Sequence, residues 1–389
     1  MFFWDPNKVL LTIPFIKLPI MWYSLFFVVG FIGGYFLCRQ MIRNYFLSVP
    51  FVSVKDIKDK KNFISFFKKT DSKQIQDLVA IFSQIEERKE YGVSQSDEIY
   101  VRKLNDFLYF KEKLIVILKK YATDPIKKVL HSHFYGDPTG SAGRLFLDNT
   151  LSPVVYTVQE KATQMVDRIL IFVFIATIIG ARLGHLFFYE HPSYYLSQPW
   201  VIFKVWEGGL ASHGAAVAIL ISVFILAKTN KKIAPPIKFV RLLDFIAMPT
   251  AFAAIFIRLG NFVNQEILGT QTTRPWAIIF GHPADGGAIA PRHPVQLYEA
   301  IFYLFVFLLL FYLSKKPSFI NRKGKMIGLF LMLIFGFRMV VEYLKVPQSY
   351  FMTHDSLMLM GQYLSLPFIA LGLFFYFWSF IFARSARKF

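Results

Sequence analysis

Seven stretches of this chain are apolar for long enough that water cannot be their solvent. They run roughly over 20–38, 166–187, 208–227, 242–262, 296–313, 326–344 and 361–383, and about 20 residues of helix cover the hydrocarbon core of a bilayer. The composition agrees. Of 389 residues, 55% are hydrophobic and 45 are phenylalanine, which is too apolar for an ordinary soluble domain of this length. The expectation is an all-α polytopic membrane protein with about seven transmembrane helices.

The loops between these stretches predict an orientation. "AKTNKKIAPPIKFVR" (227–241), "SKKPSFINRKGK" (314–325) and the tail "ARSARKF" are rich in Lys and Arg and alternate so as to lie on one side. By the positive-inside rule that side is cytoplasmic, which puts the N-terminus outside and the C-terminus inside. The opening "MFFWDPNKVLLTIPFIK" lacks the charged-then-apolar order of a cleavable signal, so the first span is expected to stay as a helix. The net charge of +19 suits a protein resting against anionic lipid. A nucleic-acid partner would need a basic surface carrying a binding motif, and none is legible. The one cysteine, Cys38, can form no internal disulfide and reads as a small buried apolar residue.

Three segments follow. Residues 1–40 hold the N-terminal segment and the first span, and 166–389 hold the six-helix remainder of the membrane core. Between them, 41–165 is hydrophilic, with amphipathic helical spacing in "DSKQIQDLVAIFSQIEERKEY" (71–91) and a turn-rich "YGDPTGSAG" (135–143). It reads as a mostly helical cytoplasmic insertion. His131 and His133 within it read as part of a solvated loop. No internal repeat stands out, which disfavours inverted-repeat transporters.

Ionisable side chains inside membrane spans are costly and mark function. "IFIRLGNFVNQEILG" (255–269) begins as membrane sequence and then offers Arg258, Asn261, Gln265 and Glu266. Arg258, Asn261 and Gln265 share one face if the helix continues that far; alone, Arg258 could simply snorkel to the outer headgroups. Arg338 and Glu342 stand four apart in the sixth span, spaced for an ion pair along the helix. "GARLGHLFFYEH" (180–191) brings Arg182, His185 and Tyr189 to one face, with Tyr189 at belt depth. "WEGGLASHGAAVAIL" (206–220) sets His213 among small residues, either as a packed histidine or as one open to close approach. "PRHPVQLYEA" (291–300) adds His293, Gln296, Tyr298 and Glu299, and Tyr23 lies at the start of the first span, where an interfacial belt residue is the simple alternative. With the orientation above, these clusters converge at the outer leaflet. Two arginines suit a phosphate, which guanidinium binds in a bidentate, charge-assisted way, and at that depth a phosphate belongs to a phospholipid headgroup.

At these residues the sequence resembles the prolipoprotein diacylglyceryl transferases of bacteria. "RLGNFVNQEILG" (258–269) is similar to the family's signature segment, and "IMWYSLFF", "SHGAAVAI", "RHPVQLYEA" and "FRMVVEYLKVP" are similar to four further motifs, in order. The resemblance implies an enzyme of the bacterial inner membrane, multi-pass, with its site facing the outer side. It would move the diacylglyceryl group of phosphatidylglycerol onto the lipobox cysteine of a prolipoprotein, releasing glycerol phosphate, as the first step of lipoprotein maturation. It implies phosphatidylglycerol binding at Arg258 and essential or important roles for Tyr23, His213, Asn261, Glu266, Gly269, Arg338 and Glu342. It calls for no cofactor and no metal; its partners are phosphatidylglycerol, prolipoprotein lipobox peptides and the bilayer. Departures from the family pattern are Gln265 where Gly is common, Leu268 where Trp is frequent, Ile334 at a usual Tyr, and Lys345 and Gln348 at a usual Arg and Asp. None is expected to touch the charged core.

The chemistry suits these residue types. A thiol ionises near pKa ~8.5 and attacks as thiolate; His213, near ~6.5, could accept its proton. Arg258 and Arg338 would hold the phosphate and stabilise its charge as it leaves, at about 3–4 kcal/mol per prepositioned donor. Asn261 would fix the headgroup, Glu342 would position Arg338, and Gly269 would let the backbone turn near the lipid. The alternatives are a transporter or flippase for an anionic solute or lipid, which predicts charges near the midplane and helices broken in paired halves, and a structural anchor for the insertion.

Overall fold

A computed structural model of the chain describes residues 1–15, 17–48, 58, 156–189, 197–203, 212–230, 237–320, 322–346 and 358–383. The proposed 41–165 insertion, with its two histidines, lies almost wholly outside them. The described residues at its margins are helical, because α1 (Trp22–Ser48) and α2 (Val158–Tyr189) run past 40 and back before 166. The start of α2 is a reciprocal cap. The Glu160 amide donates to Thr157 Oγ1 at 3.1 Å, and the Thr157 amide donates to the Glu160 carboxylate at 2.8 Å.

The other long helices are α3 (Ser212–Thr229), α4 (Phe239–Val263), α5 (Val295–Ser314), α6 (Lys325–Val341) and α7 (Met360–Ala383). The chain is therefore a mostly helical polytopic protein, and each of the seven apolar stretches coincides with a helix. Six are long and apolar enough to cross a membrane; the seventh, Gly214–Thr229, is shorter, its 16 residues rising about 24 Å.

Two compact bodies divide the chain. One comprises Met1–Met41, Val217–Phe224 and Lys238–Phe389; the other comprises Ile42–Ala216 and Ile225–Ile237. In the first body α1 lies antiparallel to α4 along a track of small residues. A Cβ on Gly30 would stand 3.1 Å from the Ala253 Cα, one on Gly33 2.2 Å from the Phe252 ring, and one on Gly260 2.5 Å from the Tyr23 ring. Such small-residue tracks let helix backbones approach closely, which is how helices pack where no water drives them together. Helices α6 and α7 use the same device, Gly328 lying against Gly372 and Tyr376. Phe335 stacks on Phe368 at 4.3 Å, and Phe302 of α5 stacks on Phe337 of α6 at 3.9 Å.

Asp244 explains how the far end of this body is tied. Fully buried in α4, it accepts from the amides of Gly324 (2.8 Å), Met326 and Ile327 (both 3.1 Å). It thus caps α6 from a neighbouring helix, satisfying donors that a helix start leaves open. Arg241 lies 3.8 Å away and donates to the Ile320 carbonyl.

The sequence did not suggest the strands. β1 (Phe2–Trp4) pairs in parallel with β4 (Ile278–Phe280), which pairs antiparallel with β5 (Pro291–Arg292). β2 (Val9–Ile13) and β3 (Leu18–Met21) form a separate hairpin leading into α1. Trp4 stacks on Phe262 at 4.7 Å and donates its indole N–H to the Phe262 carbonyl at 3.1 Å. The N-terminal segment is therefore fastened over the end of α4. Cys38 is buried, as its apolar reading predicts.

In the second body Arg182 donates to the carbonyls of Val201 and Ile202, over the 3-10 helix Pro199–Phe203. Arg168 donates to Asn230 Oδ1 at 2.8 Å. Gly214 of α3 presses on α2 backbone at Gly180 and Gly184.

Candidate active site

The site is assembled at one end of the first body, where α1 begins, α4 ends, α5 begins and α6 ends. Arg258 stands one and a half turns before the end of α4. Its Nε lies 3.1 Å from the carboxylate of Glu299, and its Nη1 donates to Asn261 Oδ1 at 3.2 Å. The Tyr303 ring centroid lies 5.8 Å from the guanidinium carbon. This is not a snorkelling side chain: Glu299, its counter-charge, has no solvent exposure at all.

Helix α4 stops at Val263, so Gln265 leaves the face it would have shared with Arg258 and Asn261. The backbone reverses instead, with Gln265 at φ 58° and Ile267 at φ 54°, the left-handed region that favours glycine. Gln265 is nevertheless employed. Fully buried, it donates to Asp5 Oδ1 at 3.0 Å and accepts from the His282 amide at 2.7 Å. The reversal carries Glu266 back over the helix end, where Asn261 and Asn264 donate to its two carboxylate oxygens at 3.0 Å each. Gln296 of α5 donates to the Glu266 carbonyl at 2.6 Å. Tyr23 rests against Gly260 and hydrogen-bonds with Asn261 through its hydroxyl.

Two further segments clamp this loop. Thr270 donates its amide to the Leu344 carbonyl (2.8 Å), Val346 donates to Leu268 (3.0 Å), and His293 donates to Thr270 (3.0 Å). Gly269 sits at the crossing. A Cβ there would fall 2.3 Å from the His293 carbonyl oxygen, and its φ is not among the positive ones. Close approach between backbones, rather than a turn, is what the position requires.

The clamp corrects the expectation that the departures lie outside the charged core. Lys345, 5% exposed, places its Nζ 2.9 Å from Glu299 Oε1 and 3.7 Å from Glu342 Oε2. The expected Arg338–Glu342 pair is not the one formed. Helix α6 ends at Val341 and tightens into the 3-10 turn Glu342–Leu344, so Glu342 turns toward Lys345 and packs against Gly361. Among the described residues no carboxylate pairs directly with Arg338, and its Nε is buried without a hydrogen-bond partner. It still lies near enough to Glu299, Tyr303 and Lys345 to act on them electrostatically. Buried unpartnered atoms are rare in folded proteins. Here Asn264 Oδ1, Gln296 Oε1 and Arg338 Nε gather at this one site, while Glu299 Oε2 and Glu342 Oε2 make ion-pair contacts without a hydrogen bond.

Tyr23, Arg258, Asn261, Glu266, Gly269, Arg338 and Glu342 are thus all brought to this end of the fold. His213 lies in the other body, in the first turn of α3, and its side chain and that of Tyr189 are outside the described residues. Beside the site, His293 Nδ1 lies 3.1 Å from the Tyr298 hydroxyl, which accepts from the Trp276 indole at 2.8 Å. Burial, with Arg274 nearby, holds the His293 imidazole below its ordinary pKa. Sequence reasoning did not single out Glu299, Tyr303 or Lys345 as central. The available signal was a lone carboxylate in "VQLYEAIFYLFVFLLLFYLS", otherwise a membrane helix without charge. Among the described residues no group of three His, Cys, Asp or Glu is placed to hold a metal ion.

Comparison with known proteins finds relatives over most of the chain. Residues 148–378 match the family profile described as prolipoprotein diacylglyceryl transferase. The chain is 37% identical over 371 residues to the phosphatidylglycerol–prolipoprotein diacylglyceryl transferase of Protochlamydia amoebophila (strain UWE25), covering 95% of this chain and 93% of that protein. It is 39% identical over 241 residues to the protein of the same name from Tolumonas auensis, covering 62% and 88%. A third relative of that name, from Porphyromonas gingivalis, is 36% identical over 264 residues, covering 64% and 90%.

Proposed function

The chain belongs to the prolipoprotein diacylglyceryl transferase family, and from that premise we infer that it is a membrane transferase moving the diacylglyceryl group of phosphatidylglycerol onto a prolipoprotein. The acceptor is the lipobox cysteine thiol. Its sulfur attacks the glycerol carbon, the carbon–oxygen bond to phosphate breaks, and glycerol phosphate departs with the bonding pair. The thiol proton goes to a base. His213 is suited to that role by its ordinary pKa range.

The observation that carries this reading is Arg338, whose Nε is buried and unpartnered beside a network already balanced between Arg258, Lys345, Glu299 and Glu342. A guanidinium in that state is prepared for a phosphate oxygen, which it binds by charge-assisted hydrogen bonds. Arg258, oriented by Glu299 and Asn261, presents its remaining N–H groups from α4. Together they stabilise the charge that grows on the leaving phosphate, in a site with little water to screen it. Tyr23, Asn261 and Glu266 act as one hydrogen-bonded unit that shapes the headgroup end of the pocket. Gly269 holds the clamp closed. The basic loops set the membrane orientation, with this end of the bundle at the outer face of the bacterial inner membrane.

The test is transfer by purified protein supplied with phosphatidylglycerol and a lipobox peptide, following peptide mass and glycerol phosphate release together. Thiol-dependent addition that fails with a Cys→Ser peptide and with Arg258→Ala is the expected result. Well-folded protein that binds the lipid and never modifies the peptide would overturn the reading. His213→Ala should abolish transfer while sparing lipid binding; substantial retained turnover would remove His213 as the base.

A further inference from the structure

Lys345 is placed with more care than a surface lysine needs. The 3-10 turn Glu342–Leu344 delivers it, its backbone turns extended (φ −92°, ψ 150°), and it bridges antiparallel to Gly269. The Val346 amide on the Leu268 carbonyl completes the pin. Its backbone is therefore fixed to the loop that carries Glu266, and its Nζ reaches the buried Glu299 and the carboxylate of Glu342. Glu342 also packs against Gly361, where even a Cβ would stand 2.2 Å from its carboxyl carbon, and on the side left open to it the ammonium of Lys345 holds its carboxylate.

Four residues back from Glu342 stands Arg338, at a spacing where opposite charges on a helix meet. That pair is not formed. The carboxylate that would have taken Arg338 is engaged by Lys345, as is an oxygen of Glu299, while Arg338 Nε is buried and unpartnered. A compact ammonium can neutralise two carboxylates at once without occupying the planar, forked geometry a phosphate needs.

We propose that Lys345 is a positioning residue that holds Glu299 and Glu342 away from Arg338, keeping that guanidinium open to the phosphate of the lipid donor. The inference rests on the proposed function for the identity of the anion. Removing the ammonium releases Glu342 to pair with Arg338 along the helix, and the anion then has to compete with a carboxylate already in place. The defect therefore falls on the phosphate-bearing substrate and leaves recognition of the peptide alone.

Lys345→Met, Lys345→Gln and Lys345→Arg are compared with the unaltered protein by varying lipid and peptide separately. Inhibition by free glycerol phosphate serves as a second reading of the anion site. Lys345→Met is expected to lower kcat/KM for phosphatidylglycerol roughly tenfold or more and to weaken glycerol phosphate inhibition in parallel, with the peptide KM within about twofold. Lys345→Arg restores both. Should Lys345→Met not fold, Lys345→Gln, which keeps a donor but no charge, decides by the same readings. Equal damage to lipid and peptide kinetics, an arginine variant as impaired as the methionine one, or unchanged lipid kinetics in the neutral variants would each overturn the proposal. An unaltered protein without thiol-dependent transfer refutes the proposed function instead. Calorimetric binding of glycerol phosphate to it and to Lys345→Gln then still decides the role of Lys345.

Discussion

Replacing Glu299 by glutamine tests the charge balance of the site with almost no change of shape. The carboxylate has no solvent exposure and faces Arg258 Nε at 3.1 Å, Lys345 Nζ at 2.9 Å and the Tyr303 hydroxyl at 3.4 Å. Glutamine can accept from one of these partners but balances neither cation, and its amide N–H₂ adds donors where donors already crowd. Breaking a buried ion pair from one side costs about 3–5 kcal/mol. Asn261 still holds Arg258 and Glu342 still lies near Lys345, so the lower end applies. About 3 kcal/mol corresponds to roughly a hundredfold in rate when it falls on the bound transition state. The assay is diacylglyceryl transfer to a lipobox peptide, paired with a thermal melt in the same detergent, so that loss of turnover and loss of fold are read apart. The expected result is kcat/KM down about a hundredfold, with any remainder of the energy appearing as a lower melting point. A Glu299→Gln protein that keeps more than about a third of the activity, with an unshifted melt, refutes the reasoning.

Other perturbations follow from the same geometry. Gly260→Ala puts a methyl 2.5 Å from the Tyr23 ring; the ring must shift by about an ångström, and misplacement on that scale can cost about a hundredfold in turnover, measurable as a kcat loss with lipid binding retained. Asp244→Ala strips three amides at the start of α6 of their acceptor and should lower stability by about 2 kcal/mol or more, seen as a lower melting point. Asp5 has its carboxyl held below the usual range by hydrogen bonds from His282 and then Gln265. A depressed carboxylate pKa stabilises the folded state at neutral pH and withdraws that support as pH falls below about 4. The protection of the Phe2–Trp4 amides, read as exchange relative to the intrinsic rate at each pH, should therefore fall on acidification, and Asp5→Asn should remove that loss of protection.

Much of the helical fold was legible because a bilayer leaves few choices. Each apolar stretch became a helix, and Arg258, Asn261 and Glu266 stood out against their apolar surroundings. The remainder depended on how the chain ends its helices. Nothing in "GNFVNQEILG" announces that α4 stops at Val263, since the two left-handed residues are Gln265 and Ile267, neither of which signals a turn. Losing that boundary misplaced Gln265 onto the face of Arg258 and Asn261. The 3-10 turn after α6 had the same effect, making Arg338–Glu342 look like a pair and leaving Lys345 outside the core. β1 was illegible for a different reason: its partner lies far along the chain, and three apolar residues carry no pairing signal of their own.

That separation also sets an order of events in synthesis. Phe2 aligns with Ile278 in the parallel register. At about 5–20 residues per second, a ribosome takes roughly 15–55 s to travel between them. Throughout that interval the first strand waits at the membrane surface while α1 to α4 are inserted, with its indole and its aspartate uncommitted. Trp4 and Asp5 can lock onto Phe262, Gln265 and His282 only when the loop after α4 has emerged on the same side. A segment made before α1 is thus among the later parts to settle, and it does so by sealing the loop that follows α4.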